Sequence, residues 1–273
     1  MKRRPERLQK KLWKEYVWGK QSLKQLSDKH SKSISTIRKN LDLIVVEKRK
    51  HTPQKIHIIA DVVFFGRKYG VCVFRSPKLK ENLCWARVET ETPFVYLSGR
   101  KRLESLGYEI TSITIDGKRG VASVFRDIPV QMCLFHQLQI ITRYLTRKPK
   151  LKASIELRKL SQTLTKTTEE IFTQELSNWY ERWKDFLNEK TINPETGRWF
   201  FTHKRLRSAY KSLITNLPHL FTYQKYPKLN IPTTTNSLDG SFSYLKTLLR
   251  IHRGQTQMRR KKMIDEILKN QPD

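Results

Sequence analysis

A run of β-branched and aromatic residues broken by a single acid, Ile56-His57-Ile58-Ile59-Ala60-Asp61-Val62-Val63-Phe64-Phe65, sets the architecture of the middle of the chain. Residues of this kind fit a pleated sheet surface, so the run predicts a strand. A glycine-bounded turn at 66–70 follows, then Val71-Cys72-Val73-Phe74-Arg75 and Leu83-Cys84-Trp85-Ala86-Arg87-Val88. Together they predict a three-stranded antiparallel meander. Residues 94–106 carry a helical pattern that Gly107 ends, and Ile110-Thr111-Ser112-Ile113-Thr114-Ile115-Asp116 alternates as a fourth strand. After a turn at 117–120, Pro129-Val130-Gln131-Met132-Cys133 reads as a short fifth strand. The order is β-β-β-α-β-α-β, a mixed α/β layer. Strand signals then fade. Helical spacing covers 134–146, 153–163, 168–188 and 202–215, and a last helical pattern runs from Asn236 to about His252.

Ahead of the sheet, residues 1–50 carry 16 Lys/Arg against 5 Asp/Glu, a net +11. Leu8, Leu12, Tyr16 and Val17 recur at helical spacing before Gly19. Two short helices are predicted after it, at 22–30 and 33–41, with Leu23, Leu26, Ile34, Ile37 and Leu41 as a small core. Ser35, Thr36, Arg38 and Lys39 face outward. That layout is a helix-turn-helix, whose last helix enters a DNA major groove; a basic hairpin without sequence preference fits the same pattern. Lys48-Arg49-Lys50-His51-Thr52-Pro53 reads as a basic linker, where Pro53 bars helix continuation. The domains expected are a helical head at 1–50 and a catalytic unit at 51–273.

The whole chain of 273 residues has 55 Lys+Arg and 25 Asp+Glu, a net charge of +30. Such an excess is costly in self-repulsion and calls for an anionic partner. Nucleic acid comes first, since lysines and arginines displace its condensed counterions. No apolar run approaches the ~20 residues that span a bilayer, and no secretion signal follows Met1-Lys2-Arg3-Arg4-Pro5. Cys72, Cys84 and Cys133 form no disulfide framework and suit a reducing compartment, so a cytoplasmic, nucleoid-associated protein is expected. The run Arg259-Arg260-Lys261-Lys262 reads as a solvated helix face.

In so basic a chain the acids inside apolar runs stand out. Asp61 lies between Ile58-Ile59-Ala60 and Val62-Val63, and Asp116 ends Ile113-Thr114-Ile115 before Gly117. A carboxylate there needs a cation, hydrogen bonds or a strand end open to solvent. Two on neighbouring strands can share divalent cations, although an Asp before Gly is also a common turn former. Asp239 is the third candidate. Leu238, Phe242, Leu245 and Leu249 make the core stripe of its helix, while Asp239, Ser243, Lys246 and Arg250 share the neighbouring polar face. Asp239 suits a metal beside a phosphate backbone, and equally suits the N3 position of a near capping box with Asn236 as N-cap.

Ile59-Ala60-Asp61, Thr114-Ile115-Asp116-Gly117 and Gln131-Met132-Cys133-Leu134-Phe135-His136, followed by Thr233-Thr234-Thr235-Asn236-Ser237-Leu238-Asp239-Gly240 and His252-Arg253-Gly254, resemble in that order the Mutator-like DDE transposases, including bacterial insertion-sequence transposases. The resemblance spans roughly residues 55–255. It implies an RNase H-like catalytic core interrupted by an all-helical insertion, at about 148–230, before the last acid. It also implies Asp61, Asp116 and Asp239 as ligands to two Mg²⁺ or Mn²⁺ ions, with Cys133 and His136 in a supporting CxxH element. Trp199 resembles an insertion tryptophan used near the DNA end, and is also a candidate for core packing. Lys246, Arg250 and Arg253 would grip phosphates. The partners implied are the element's terminal inverted repeats and target DNA, and a dimer or higher assembly to join two ends. The family usually carries Glu where this chain has Asp239, which keeps open an inactive, transposase-derived repressor. An RNase H-like nuclease without joining is the runner-up in the same chemistry, and an RNA-binding protein explains the charge but not the ordered acidic motifs.

Overall fold

The computed structural model describes residues 4–47 and 49–270; Lys48 of the expected basic linker lies outside the described residues. Three helices come first, α1 (Arg4–Val17), α2 (Leu23–His30) and α3 (Ile34–Leu43). Ser22 and Gln25 close α2 with a reciprocal capping box, and the Ser33 hydroxyl accepts from the Thr36 N–H at the start of α3. These caps satisfy backbone donors that a helix start leaves free. Leu26, Ile37 and Leu41 are buried. Ile34, expected in this small core, is instead 38% exposed. It sits in the first turn of α3, ahead of the Ile37–Leu41 stripe that meets the other helices. His30 and Lys29 both engage Glu15, at 2.7 and 3.0 Å, tying α2 to α1.

The central sheet has five strands in the order β3-β2-β1-β4-β5. β1 (Lys55–Phe64), β2 (Gly70–Ser76) and β3 (Glu81–Val88) form the antiparallel meander. β4 (Glu109–Ile115) runs parallel to β1, and β5 (Val130–Met132) parallel to β4. The sheet is therefore mixed and the protein is α/β. Successive side chains of a strand point to opposite faces. Ile56, Ile58 and Ala60 pack with Tyr96 and Leu103 of α4 (Pro93–Ser105), and with Phe125. Ile59 and Val63 face the opposite side. A single 3-10 turn, Ala122–Phe125, stands where a second helix was expected between β4 and β5.

Beyond β5 come α5 (Leu134–Leu145), α6 (Lys152–Ser161), α7 (Glu169–Asn188), α8 (Lys204–Leu220) and the short α9 (Thr222–Lys225). Their core holds Leu157, Phe172, Trp179, Leu213 and Phe221. Gln131 of β5 joins this unit to the sheet: its amide donates to the Leu220 carbonyl and accepts from the Tyr223 N–H, both at 2.9 Å. The insertion is not all-helical, as expected, because β6 (Lys190–Ile192) and β7 (Trp199–Phe201) pair as an antiparallel ribbon between α7 and α8. Strands of three residues are too short to display an alternation. The turn joining them is held by the Asn193 carboxamide, which accepts from the N–H groups of Glu195 and Thr196.

The chain closes with α10 (Asn236–Ile251) and α11 (Gln257–Asn270). The predicted stripe of Leu238, Phe242, Leu245 and Leu249 is buried. One apolar cluster runs from Leu12 and Ile37 of the first helices through Ile59 and Val73 of the sheet to Leu245 of α10 and Ile267 of α11. The 259–262 charge run is not a solvated face, as expected. Arg259 is 3% exposed and donates from both Nε and Nη2 to the Asp42 carboxylate at 2.8–3.1 Å. Arg260 lies over the Tyr69 ring at 4.6 Å. α11 buries this side because Met263, Ile264, Ile267 and Leu268 fall at helical spacing just after it. No helix among the described residues is long and apolar enough to cross a membrane.

Candidate metal centre

Asp61 stands on the sheet face turned towards α10, between Ile59 and Val63 in the strand's alternation. It is 8% exposed, and its Oδ1 accepts from the Val62 N–H at 2.7 Å. Asp116 follows the last residue of β4. The parallel register pairs Ile59 with Thr114, so Asp61 and Asp116 each come two residues later on adjacent strands. The Asp116 Oδ1 accepts from the Lys118 N–H at 3.0 Å, so this acid does shape its turn as well. Gly117 makes the turn at φ +84°, and a Cβ there would stand 2.2 Å from the Met132 Sδ. Only glycine meets both conditions.

Two helix starts complete the site. Cys133 is the N-cap of α5, which puts His136 in its first turn. The N-cap of α10 is Thr235, not Asn236 as expected, and no side chain caps this helix. Asp239 is therefore one position past N3, and the capping-box role falls away. Thr235 is fully buried, and its N–H and hydroxyl both donate to the Cys133 Sγ, at 3.4 and 3.5 Å. Its Oγ1 also lies 3.3 Å from the His136 Nδ1. The Leu134 N–H donates to the Thr233 carbonyl at 2.9 Å. These contacts clamp the two starts together, and ligand atoms of Asp61, His136 and Asp239 lie within 4.8 Å of one another. Asp116 is outside that trio and flanks Asp61.

Burial and neighbouring negative charge both act on the trio. Burial, reinforced by the charge of Asp116, pushes the Asp61 carboxyl up to about 7, against the opposing Val62 N–H. A hydrogen bond with Cys133, opposed by burial and helped by the charges of Cys133, Asp61 and Asp116, raises His136 to about 9. Burial acts to raise the Cys133 thiol, but hydrogen bonds with His136 and Thr235 outweigh it and leave it below its ordinary value. The Asp239 Oδ2 is buried without a hydrogen-bond partner. A buried oxygen without a partner, beside a carboxyl held up by burial, leaves unmet hydrogen-bonding or cation-binding capacity at the trio.

The sequence alone assigns no role to three contributors. Thr235 is one, although it lies in the 233–240 stretch that carries the resemblance. His57 is another: burial drives it down to about 3, so it is neutral. Thr114 donates its hydroxyl to the Pro232 carbonyl at 2.7 Å and so accepts from the His57 Nε2–H at 3.2 Å. The His57 Nδ1 then accepts from the Ser112 hydroxyl at 2.7 Å. This ladder anchors the segment before α10 to β4. The third is Glu91, which receives the Tyr96 hydroxyl at 2.8 Å and whose carboxyl is raised by burial and by Asp116.

Of the residues expected to touch DNA, Ser35, Arg38 and Lys39 are exposed on α3 and Thr36 is half-buried. Lys246, Arg250 and Arg253 are exposed on and just after α10. Trp199 is 55% exposed on the β6–β7 ribbon, with the Lys190 ammonium 4.1 Å from its ring centre, so it is not a core residue. No family model matches the chain, and no curated protein sequence matches it.

Proposed function

We propose that this chain is a DDE/DDD-type transposase: an enzyme that cuts DNA at the ends of a mobile element and joins them to target DNA. The observation that carries this reading is the meeting of Asp61, His136 and Asp239, flanked by Asp116, in a chain of net charge +30. The mixed sheet, with Asp61 and Asp116 level on parallel neighbours, agrees with the RNase H-like core that the resemblance implies. The exposed Ser35, Arg38 and Lys39 support reading α2–α3 as a helix-turn-helix.

The residues fit a divalent cation. Carboxylate oxygens suit Mg²⁺ and Mn²⁺. Asp61, Asp116 and Asp239 would hold two ions, with His136 as a ligand or as the group that orders them. Bound there, such ions activate water or a 3′-hydroxyl and stabilise the leaving oxygen of a phosphodiester. The chain's own part is to hold Asp239 and His136 through the Thr235–Cys133 clamp and to position phosphates with Lys246, Arg250 and Arg253. Joining two ends calls for a dimer or larger assembly on DNA, acting at the nucleoid.

The test is cleavage. Duplexes carrying the DNA that flanks the gene are incubated with protein and Mn²⁺, comparing wild type with Asp116→Asn. Wild type should cut at the element end, while the variant binds with equal affinity and leaves the strand whole. Cutting by both proteins would remove Asp116 from the chemistry. Binding without cutting by either would leave a DNA-binding repressor.

A further inference from the structure

The helical insertion carries a second basic surface, distinct from the trio. The loop from α5 to α6 and the start of α8 enclose an open groove of about 460 Å³. Lys148, Lys150, Lys204 and Arg205 line it, all four exposed, and no Asp or Glu is among the lining residues. His203 also lines it and is held by Glu189 at 2.9 Å. Neither α6 nor α8 has an acidic residue in its first turn. Other grooves on the insertion mix the signs, Glu156 and Glu175 lying with Lys159 and Arg182 in one of them, whereas here the charged lining is cationic throughout. Cations spread along an open groove match a polyanion, because each takes its own phosphate and releases its own counterion.

The position of the groove says how it relates to the site. His136 in the trio and Leu145 in the groove lining belong to one helix, α5. At ~1.5 Å per residue they are about 14 Å apart along its axis. That is less than half of the ~34–36 Å turn of a DNA duplex. We propose that this groove is a binding site for the phosphate backbone of duplex DNA, which seats the same duplex whose bond is cut at the trio. The inference rests on the proposed function for that second clause. The groove supplies affinity and register, and base reading belongs to other surfaces.

The test uses the full chain in chelator, with duplex affinity measured by anisotropy between about 50 and 200 mM salt. Lys148→Ala/Lys150→Ala should reduce the slope of log affinity against log salt by about 1.8, at ~0.9 per lost phosphate contact. A control pair elsewhere on the insertion, Lys159→Ala/Lys166→Ala, should leave the slope unchanged. Neutral methylphosphonate linkages within half a turn of the cut bond should weaken wild type more than the groove variant. A groove variant with the wild-type slope overturns the inference, as does a control pair that loses as much. Tighter binding to duplex RNA than to DNA at matched salt overturns the assignment to DNA. A wild-type chain that binds no duplex removes the proposed function as well, whereas wild-type binding with an unaltered variant removes the groove alone.

Discussion

At the residue scale, Asp61 is the site acid whose chemistry the fold changes most clearly. Its carboxyl is pushed up to about 7 by burial and Asp116, so without a cation the folded state favours the protonated form. The sign follows from linkage: the stability tied to that proton is fully present below the ordinary Asp value and is lost as pH rises through about 7. The gap corresponds to ~4 kcal/mol, an upper figure for a site that can relax or admit water. Asp61→Asn should therefore melt higher than wild type in chelator at alkaline pH, with the advantage shrinking towards acidic pH. Mn²⁺ should raise the melting temperature of wild type and leave the variant unmoved, since only a bound ion stabilises by mass action. Thermal melts with and without Mn²⁺ across pH read both effects, and a variant that Mn²⁺ still stabilises would take Asp61 out of the ligand set. His136 adds a second dependence. Held at about 9, it is cationic at neutral pH, so its service as a ligand releases a proton and Mn²⁺ affinity should climb as pH rises towards that value. A pH-independent affinity over that range would show that His136 is not a ligand.

At the element scale, the site depends on how two helix starts meet. Thr235 caps no backbone N–H of its own helix through its side chain; its hydroxyl reaches Cys133 and His136 instead. Partners of this sort orient ligands and typically tune metal affinity by 10–100-fold. Thr235→Val keeps the shape and removes the hydroxyl. It should weaken Mn²⁺ binding by about 10-fold while costing on the order of 1 kcal/mol in stability. Isothermal titration alongside denaturant melts separates the two, and an unchanged Mn²⁺ affinity would reduce the contact to packing. The β6–β7 ribbon shows the same logic on the surface. The Asn193 turn, the paired backbone and the Thr191–Thr202 hydroxyl contact hold the ribbon with Trp199 outward.

At the scale of the whole molecule, the first helices and the last are locked together. Arg259 of α11 grips Asp42 at the end of α3, and the apolar cluster from Leu12 to Ile267 continues beneath that pair. Removing one partner of a fully buried pair costs ~3–5 kcal/mol. Asp42 keeps 42% of its side-chain exposure and can be rehydrated, so Arg259→Ala should cost about 2 kcal/mol, below that range. The loss should appear as a lower denaturant midpoint for the whole chain. If only the N-terminal helices loosen, seen as faster amide exchange in α1–α3 with the sheet still protected, the lock is local to them.

What the chain settles locally could be read without its structure. The Ser22 and Ser33 helix starts, the runs that became β1 to β4, the glycine turns after Leu106 and Asp116, and the Leu238–Leu249 stripe all follow from backbone propensity and apolar spacing. So did the choice of Asp61 and Asp116, because a carboxylate inside an apolar run is costly wherever the run ends up; Asp239 stood out by its place on the polar face of its helix and by the family resemblance. Which of these groups meet was decided by tertiary structure. The parallel pairing of β1 with β4 sets Asp61 beside Asp116, and the Thr235–Cys133 clamp brings His136 and Asp239 to Asp61. Neither contact joins residues near in sequence. The burial of Arg259 and the exposure of Ile34 and Trp199 depended on neighbours in the same way. A charge run, an apolar residue at a helix start and an aromatic in a three-residue strand keep the same local pattern whether they are packed or solvated.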